Sequence, residues 1–197
     1  MKSFIYSFTF LLLFSCQEAP KESIIIQEEE TMDEMSVFHL PSIWNTQEDK
    51  QIEFKDLQGE PLVVVMIYTS CRTACPRLVA DMRGIEAGVA SKNTTGIKYI
   101  LVSIDPKNDT PEKLKEFAKE NGMDGPQWLF LQGTEDGVRD FANILAVKYK
   151  EISPMDFSHS NIISVFDKKG VLRYQKEGLG LENKEIVEQI IQIGSNN

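Results

Sequence analysis

The chain has 197 residues, a formal net charge of -9 and 42% hydrophobic residues, enough for one globular domain with a buried core. A pI near 4.8 and the lack of any basic stripe exclude nucleic acid as a partner, because nothing is present to replace counterions on a phosphate backbone. The three cysteines fall at positions 16, 71 and 75.

In chain order, Lys2 supplies a positive start and Phe4 to Phe14 an apolar stretch too short to span a bilayer as a helix. Residues 1–15 read as a signal peptide. The segment ends Leu13-Phe14-Ser15-Cys16, which resembles the bacterial lipobox. That resemblance implies that Cys16 is lipidated and begins the mature chain, so that the protein works extracytoplasmically, on the periplasmic side, as a membrane-anchored lipoprotein where disulfides form. Residues 16–36 carry Glu28-Glu29-Glu30, Asp33 and Glu34, a composition suited to a solvated acidic tether. The folded domain is expected over 37–197.

Within it, Phe38-His39-Leu40 and Gln51-Ile52-Glu53-Phe54 alternate in the manner of short strands and predict an N-terminal hairpin. Leu62 to Ile67 is an unbroken apolar, β-branched run bounded by Gly59 and Pro61, the signature of a strand buried on both faces. Leu78, Val79, Met82, Ile85 and Val89 then recur at helical spacing, with Pro76 placed for the first turn. A second apolar strand, Ile97 to Ile104, precedes a helix opened by Thr110-Pro111 and closed at Asn121-Gly122. Trp128 to Leu131 predicts a third strand and Thr134 to about Tyr149 a third helix. Met155 to Ser160 reads as a polar loop. Ile162 to Phe166, the turn Asp167 to Gly170, and Val171 to Tyr174 form a hairpin, followed by an amphipathic helix carrying Ile186, Val187, Ile190 and Ile191.

Strands alternating with helices require a partly parallel sheet with right-handed crossovers. With the terminal hairpin and helix, the pattern is an α/β, thioredoxin-like fold: a central mixed sheet flanked by helices. Cys71 and Cys75 sit where the central strand ends and a helix begins, the place where ligand sites gather in such sheets and where the helix dipole favours thiolate. Their spacing, C-x-x-x-C, admits two readings. The sulfurs flank one metal ion, or they close a small redox disulfide, which would make Cys71 and Cys75 the catalytic pair of a thiol-disulfide reductase. A third ligand must come from the two histidines. His159 lies just before the last hairpin, in the region that packs against the cysteines in a thioredoxin-like fold, whereas His39 reads as structural.

At this point the chain resembles the Sco/SenC family, copper-binding proteins that serve assembly of cytochrome c oxidase. The residues that carry the resemblance are Tyr68-Thr69-Ser70-Cys71 with Cys75-Pro76, Ser103-Ile104-Asp105-Pro106 with Asp109-Thr110-Pro111-Glu112, and Ser158-His159-Ser160 before Phe166-Asp167-Lys168-Lys169-Gly170. They extend over about Phe38 to Ile193. The resemblance implies copper held by Cys71, Cys75 and His159, a metallochaperone function, and a partner that is the copper-site subunit of the oxidase or another copper-handling protein, with the chain itself a monomer. Cu(I) is soft and suits two thiolates and an imidazole. Met155 is a candidate weak axial ligand for Cu(II). Two departures stand out. Arg72-Thr73-Ala74 replaces the usual Pro, Asp and Val between the cysteines, and Ser158 replaces an Asp, removing a carboxylate partner for the histidine's other ring nitrogen.

Overall fold

The computed structural model describes residues 36–195 apart from Thr73, Met155 and Leu181. The expected signal peptide, the lipidated Cys16, nearly all of the tether and the candidate ligand Met155 lie outside the described residues.

Nine strands and four helices follow one another among the described residues. The strands are β1 (Ile43–Thr46), β2 (Gln51–Glu53), β3 (Leu62–Ile67), β4 (Lys98–Ser103), β5 (Trp128–Gln132), β6 (Tyr149–Ser153), β7 (Asp156–His159), β8 (Ile162–Phe166) and β9 (Leu172–Glu177). The helices are α1 (Cys75–Ala90), α2 (Pro111–Glu120), α3 (Glu135–Ile144) and α4 (Lys184–Ser195). Seven strands make one mixed sheet in the order β2-β1-β5-β4-β3-β8-β9, while β6 and β7 form a separate two-stranded ribbon. The crossovers through α1 and α2 make β3, β4 and β5 parallel, and the hairpin strand β8 runs antiparallel to β3. All six residues of β3 are buried, as the apolar run requires of a central strand covered on both faces. Helices α1 and α4 pack closely because α1 is small at Gly84 and Gly88: a Cβ at Gly88 would stand 2.8 Å from Val187 Cγ2. No helix among the described residues is long and apolar enough to cross a membrane.

The N-terminal hairpin is present but built from other residues than expected. Val37–His39 is a 3-10 turn, not a strand, and the first hairpin strand is Ile43–Thr46, which pairs with both β2 and β5. Ser36 Oγ accepts the Phe38 N–H at 3.2 Å, and Val37 N–H donates to Gly170 O at 2.8 Å, which plugs Phe38 into the core against the β8–β9 turn. The true strand is hard to see because Ile43 is 55% exposed while Trp44 and Thr46 point inward.

The third helix is shorter than the expected span. It stops at Ile144, and Tyr149 belongs to β6. Val147 N–H donates to Ala142 O at 2.9 Å and Ala146 N–H to Asn143 O at 3.1 Å, the paired bonds that close a helix C-terminus, with Ala146 at φ 53° in the position glycine usually holds. An alanine there leaves no stop signal in the sequence. The expected polar loop before the last hairpin is strand β7, paired antiparallel with β6, with Tyr149 opposite His159.

Candidate metal and dithiol centre

The site begins where β3 runs out. Tyr68 is still buried, Thr69 and Ser70 turn outward, and the chain enters α1 at Cys75 after an N-cap, Ala74, that has no side-chain oxygen to offer. Cys71 supplies the missing acceptor: Cys75 N–H donates to Cys71 Sγ at 3.3 Å. A sulfur held at the positive end of a 16-residue helix is stabilised as thiolate. Cys71 is 8% exposed and Cys75 fully buried, and the two are not joined by a disulfide. Burial pushes the Cys75 thiol well above its ordinary range, against the opposing pull of a hydrogen bond from the Tyr68 backbone. The pair is therefore asymmetric: both cysteines are buried, Cys71 with a small residual exposure and Cys75 with none.

What fixes this loop is a residue that the sequence offered only as part of a family motif. Asp109, 1% exposed, accepts from Thr69 N–H at 3.1 Å, from Thr69 Oγ1 at 2.5 Å and from Ser103 Oγ at 2.6 Å. One carboxylate thus bolts the start of the cysteine loop to the end of β4. Burial raises the Asp109 pKa above the usual carboxylate value, and the bonds from Ser103 and Thr69 offset part of that rise. The signal available in the sequence was an acidic residue six positions beyond a buried strand end, which by itself does not say where the carboxylate points.

His159 closes strand β7. Its Nδ1 lies 3.1 Å from the Ser160 carbonyl oxygen, and its Nε2 is buried with no hydrogen-bond partner among the described residues. Burial lowers the His159 pKa from 6.5, so the ring is neutral at pH 7. A neutral ring that donates from Nδ1 to a carbonyl keeps an open lone pair on Nε2, the arrangement seen in metal-ligating histidines. The Ser160 carbonyl does the work that the Ser158 departure had removed. The buried, unpartnered Nε2 and the two sulfurs are a donor set that fits a soft transition metal.

The three side chains do not converge as they stand. Among the described residues no group of three or more His, Cys, Asp or Glu side chains is arranged to hold a metal ion. Between the cysteines and the histidine stands Tyr68. Its ring meets the His159 ring edge-on with centroids 5.8 Å apart, its hydroxyl donates to Asp156 of β7, and its carbonyl oxygen accepts from Cys71 N–H at 3.3 Å. His159 also borders a shallow depression of about 330 Å³ lined by Lys148, Tyr149, Ser158 and Glu177. Arg72, next to the first cysteine, is exposed, and so is His39, which takes no part in the site.

Comparison with known proteins gives one consistent answer. A family model described as SCO1/SenC matches residues 28–193. The "SCO1 protein homolog" of Bacillus subtilis is 31% identical over 103 residues, 52% of this chain and 53% of the relative, so the chain spans about half the length of that relative. Among solved structures, BsSco, described for a disulfide switch and as a member of the Sco family of cytochrome c oxidase assembly proteins, superposes with a TM-score of 0.71 at 22% identity, covering 84% of this chain and 99% of that one. Arabidopsis thaliana ScoI, solved with copper bound, gives a TM-score of 0.68 at 16% identity over 76% of this chain and 93% of the other. At these identities the structural likeness is one of fold, the thioredoxin-like arrangement expected from the order of elements.

Proposed function

Because the chain belongs to the SCO1/SenC family, we propose that it is a copper metallochaperone, tethered outside the cytoplasm, that helps to assemble the copper site of a respiratory cytochrome c oxidase. The copper is cargo. The observation that carries this reading is the buried, unpartnered His159 Nε2 on the strand that Tyr68 joins to the cysteine loop, where one of the two thiols is anchored at a helix N-terminus. Two sulfurs and a neutral imidazole suit Cu(I), and three ligands leave the ion open to exchange. Cys71, the less deeply buried of the two cysteines, is the sulfur ligand a partner reaches first, so delivery to the copper-site subunit or another copper-handling protein starts there.

The decisive test is metal stoichiometry and affinity on the reduced protein beside its Cys71→Ser and His159→Ala variants. One copper per chain, abolished or greatly weakened by either substitution, is the expected result. No copper binding, or equal binding by His159→Ala, overturns the reading. Membrane tethering rests on the Leu13-Phe14-Ser15-Cys16 sequence. Metabolic labelling with a fatty acid is expected to mark the protein and to miss its Cys16→Ala variant.

The asymmetry of the two thiols favours a second reading, a thiol-disulfide reductase. Cys71, the less buried thiol, attacks a partner disulfide to form a mixed disulfide, and Cys75 resolves it, leaving the partner's two sulfurs reduced and Cys71–Cys75 oxidised. Reduction of an oxidase-derived disulfide peptide that survives His159→Ala and is lost in Cys71→Ser identifies this activity.

A further inference from the structure

The two halves of the site belong to different sheets. The cysteines follow β3 of the seven-stranded sheet, whereas His159 ends β7 of the separate ribbon, so no strand ladder connects them. The Tyr68 side chain spans that gap. Its hydroxyl donates to Asp156 Oδ1 at 2.9 Å, with the Phe157 carbonyl oxygen at 3.2 Å as alternative acceptor. Its ring packs on Phe157 at 5.2 Å between centroids and edge-on against His159 at 5.8 Å. On the other side the Tyr68 carbonyl oxygen accepts from Cys71 N–H at 3.3 Å. Tyr68 thus touches three of the four residues of β7 and the first cysteine, while its backbone continues the central strand and its side chain is 2% exposed.

We propose that Tyr68 is the positioning residue that sets where His159 stands relative to the dithiol, its phenol acting as a latch between the cysteine loop and strand β7. A buried tyrosine needs a partner for its hydroxyl, and both acceptors available to this one lie on the ribbon. A phenylalanine would fill the same space without fastening β7. Removing the hydroxyl therefore leaves the core packed and releases the ribbon.

The copper part of this inference rests on the metallochaperone reading, so two measurements are paired. The first needs no metal. In Tyr68→Phe, amide hydrogen exchange over Tyr149–Ser153 and Asp156–His159 is expected to quicken about 10-fold, with β3, β4 and β5 unchanged, as loss of a hydrogen bond to a charged group implies. Asp156→Ala, which leaves the Phe157 carbonyl as acceptor, is expected to act in the same direction and less strongly. The second is a double-mutant cycle on Cu(I) affinity, measured by competition with a chelator. Tyr68→Phe is expected to weaken binding about 10-fold in the native background and to add nothing in the His159→Ala background, because its effect passes through the histidine.

Unchanged ribbon exchange in Tyr68→Phe overturns the latch. An equal loss of affinity in both backgrounds overturns the positioning role, because the tyrosine then acts on the cysteines or on the fold at large. If His159→Ala binds copper as well as the native chain, it is the metallochaperone reading that has failed, and the exchange measurement alone decides the latch.

Discussion

The cysteine loop and the β6–β7 ribbon supply the two halves of one site, and they are built in opposite ways. The loop hangs from a strand whose six residues are all buried and is pinned by Asp109 through Thr69 and Ser103. The ribbon has four of the five residues of β6 exposed, only Phe157 and His159 of β7 partly buried, and Ile152 at 64% exposure. Stability concentrates where apolar contacts and buried hydrogen bonds do, so the sulfur half of the site is the more firmly built and the imidazole half depends on fewer contacts, those of Tyr68 among them. A carrier benefits from that division. In the proposed carrier, sulfurs set at a helix N-terminus hold the cargo, and the ligand on the less buried ribbon lets it go.

The contrast is most sharply broken at Asp109. Replacing it with alanine strands the Thr69 and Ser103 donors in a buried setting and is expected to cost about 3 kcal/mol in denaturant unfolding. Within the dithiol, iodoacetamide at pH 8 is expected to modify Cys71 at least about 10-fold faster than Cys75, because thiolate character and access both favour the outer sulfur. Mass spectrometry of Cys71→Ser and Cys75→Ser proteins reads the two rates separately, and equal rates would remove the asymmetry on which the reductase reading depends.

A smaller effect is expected from His159. Burial lowers its folded-state pKa below 6.5. Above pH 6.5 the ring is neutral in both folded and unfolded chains, and its contribution is fully present. As pH falls below that value toward the folded pKa, the unfolded chain takes up a proton that the folded one refuses, and stability is lost. The stability difference between the metal-free native protein and His159→Ala is therefore expected to shift toward the variant as pH drops through that window, and thermal unfolding at pH 7.5, 6.5 and 5.5 measures it. Least of all, Ile152→Ser on the exposed face of the ribbon is expected to move stability by no more than about 0.5 kcal/mol. A loss comparable with that of Asp109→Ala would mean that the ribbon is as firmly built as the loop.

The central elements were legible in the sequence because each carries its own local signal. Leu62 to Ile67 is too apolar for any place but the middle of the sheet, Thr110-Pro111 opens a helix by chemistry alone, and the spacing of Ile186, Val187 and Ile190 marks the face of α4. The failures share one cause. Phe38 alternates like a strand residue but is claimed by a pocket beside Gly170, α3 is closed by Ala146 where glycine would have announced the end, and β7 is written in Asp, Phe, Ser and His, of which only Phe favours a strand, and it pairs because β6 is there to receive it.

The sequence by itself determined the dithiol at a strand-to-helix junction, the order of elements from β3 to α3 and the last hairpin and helix, and the candidacy of His159, since these follow from spacing, periodicity and residue chemistry along the chain. Only the tertiary structure decided that Asp109 anchors the loop, that a backbone carbonyl orients the His159 ring, and that Tyr68 stands between the histidine and Cys71. The long-range ones, Thr69–Asp109 and Tyr68–His159, join residues 40 and 91 positions apart, the other turns one side chain toward its neighbour's backbone, and such meetings are set by the packing of whole elements, on which local sequence is silent.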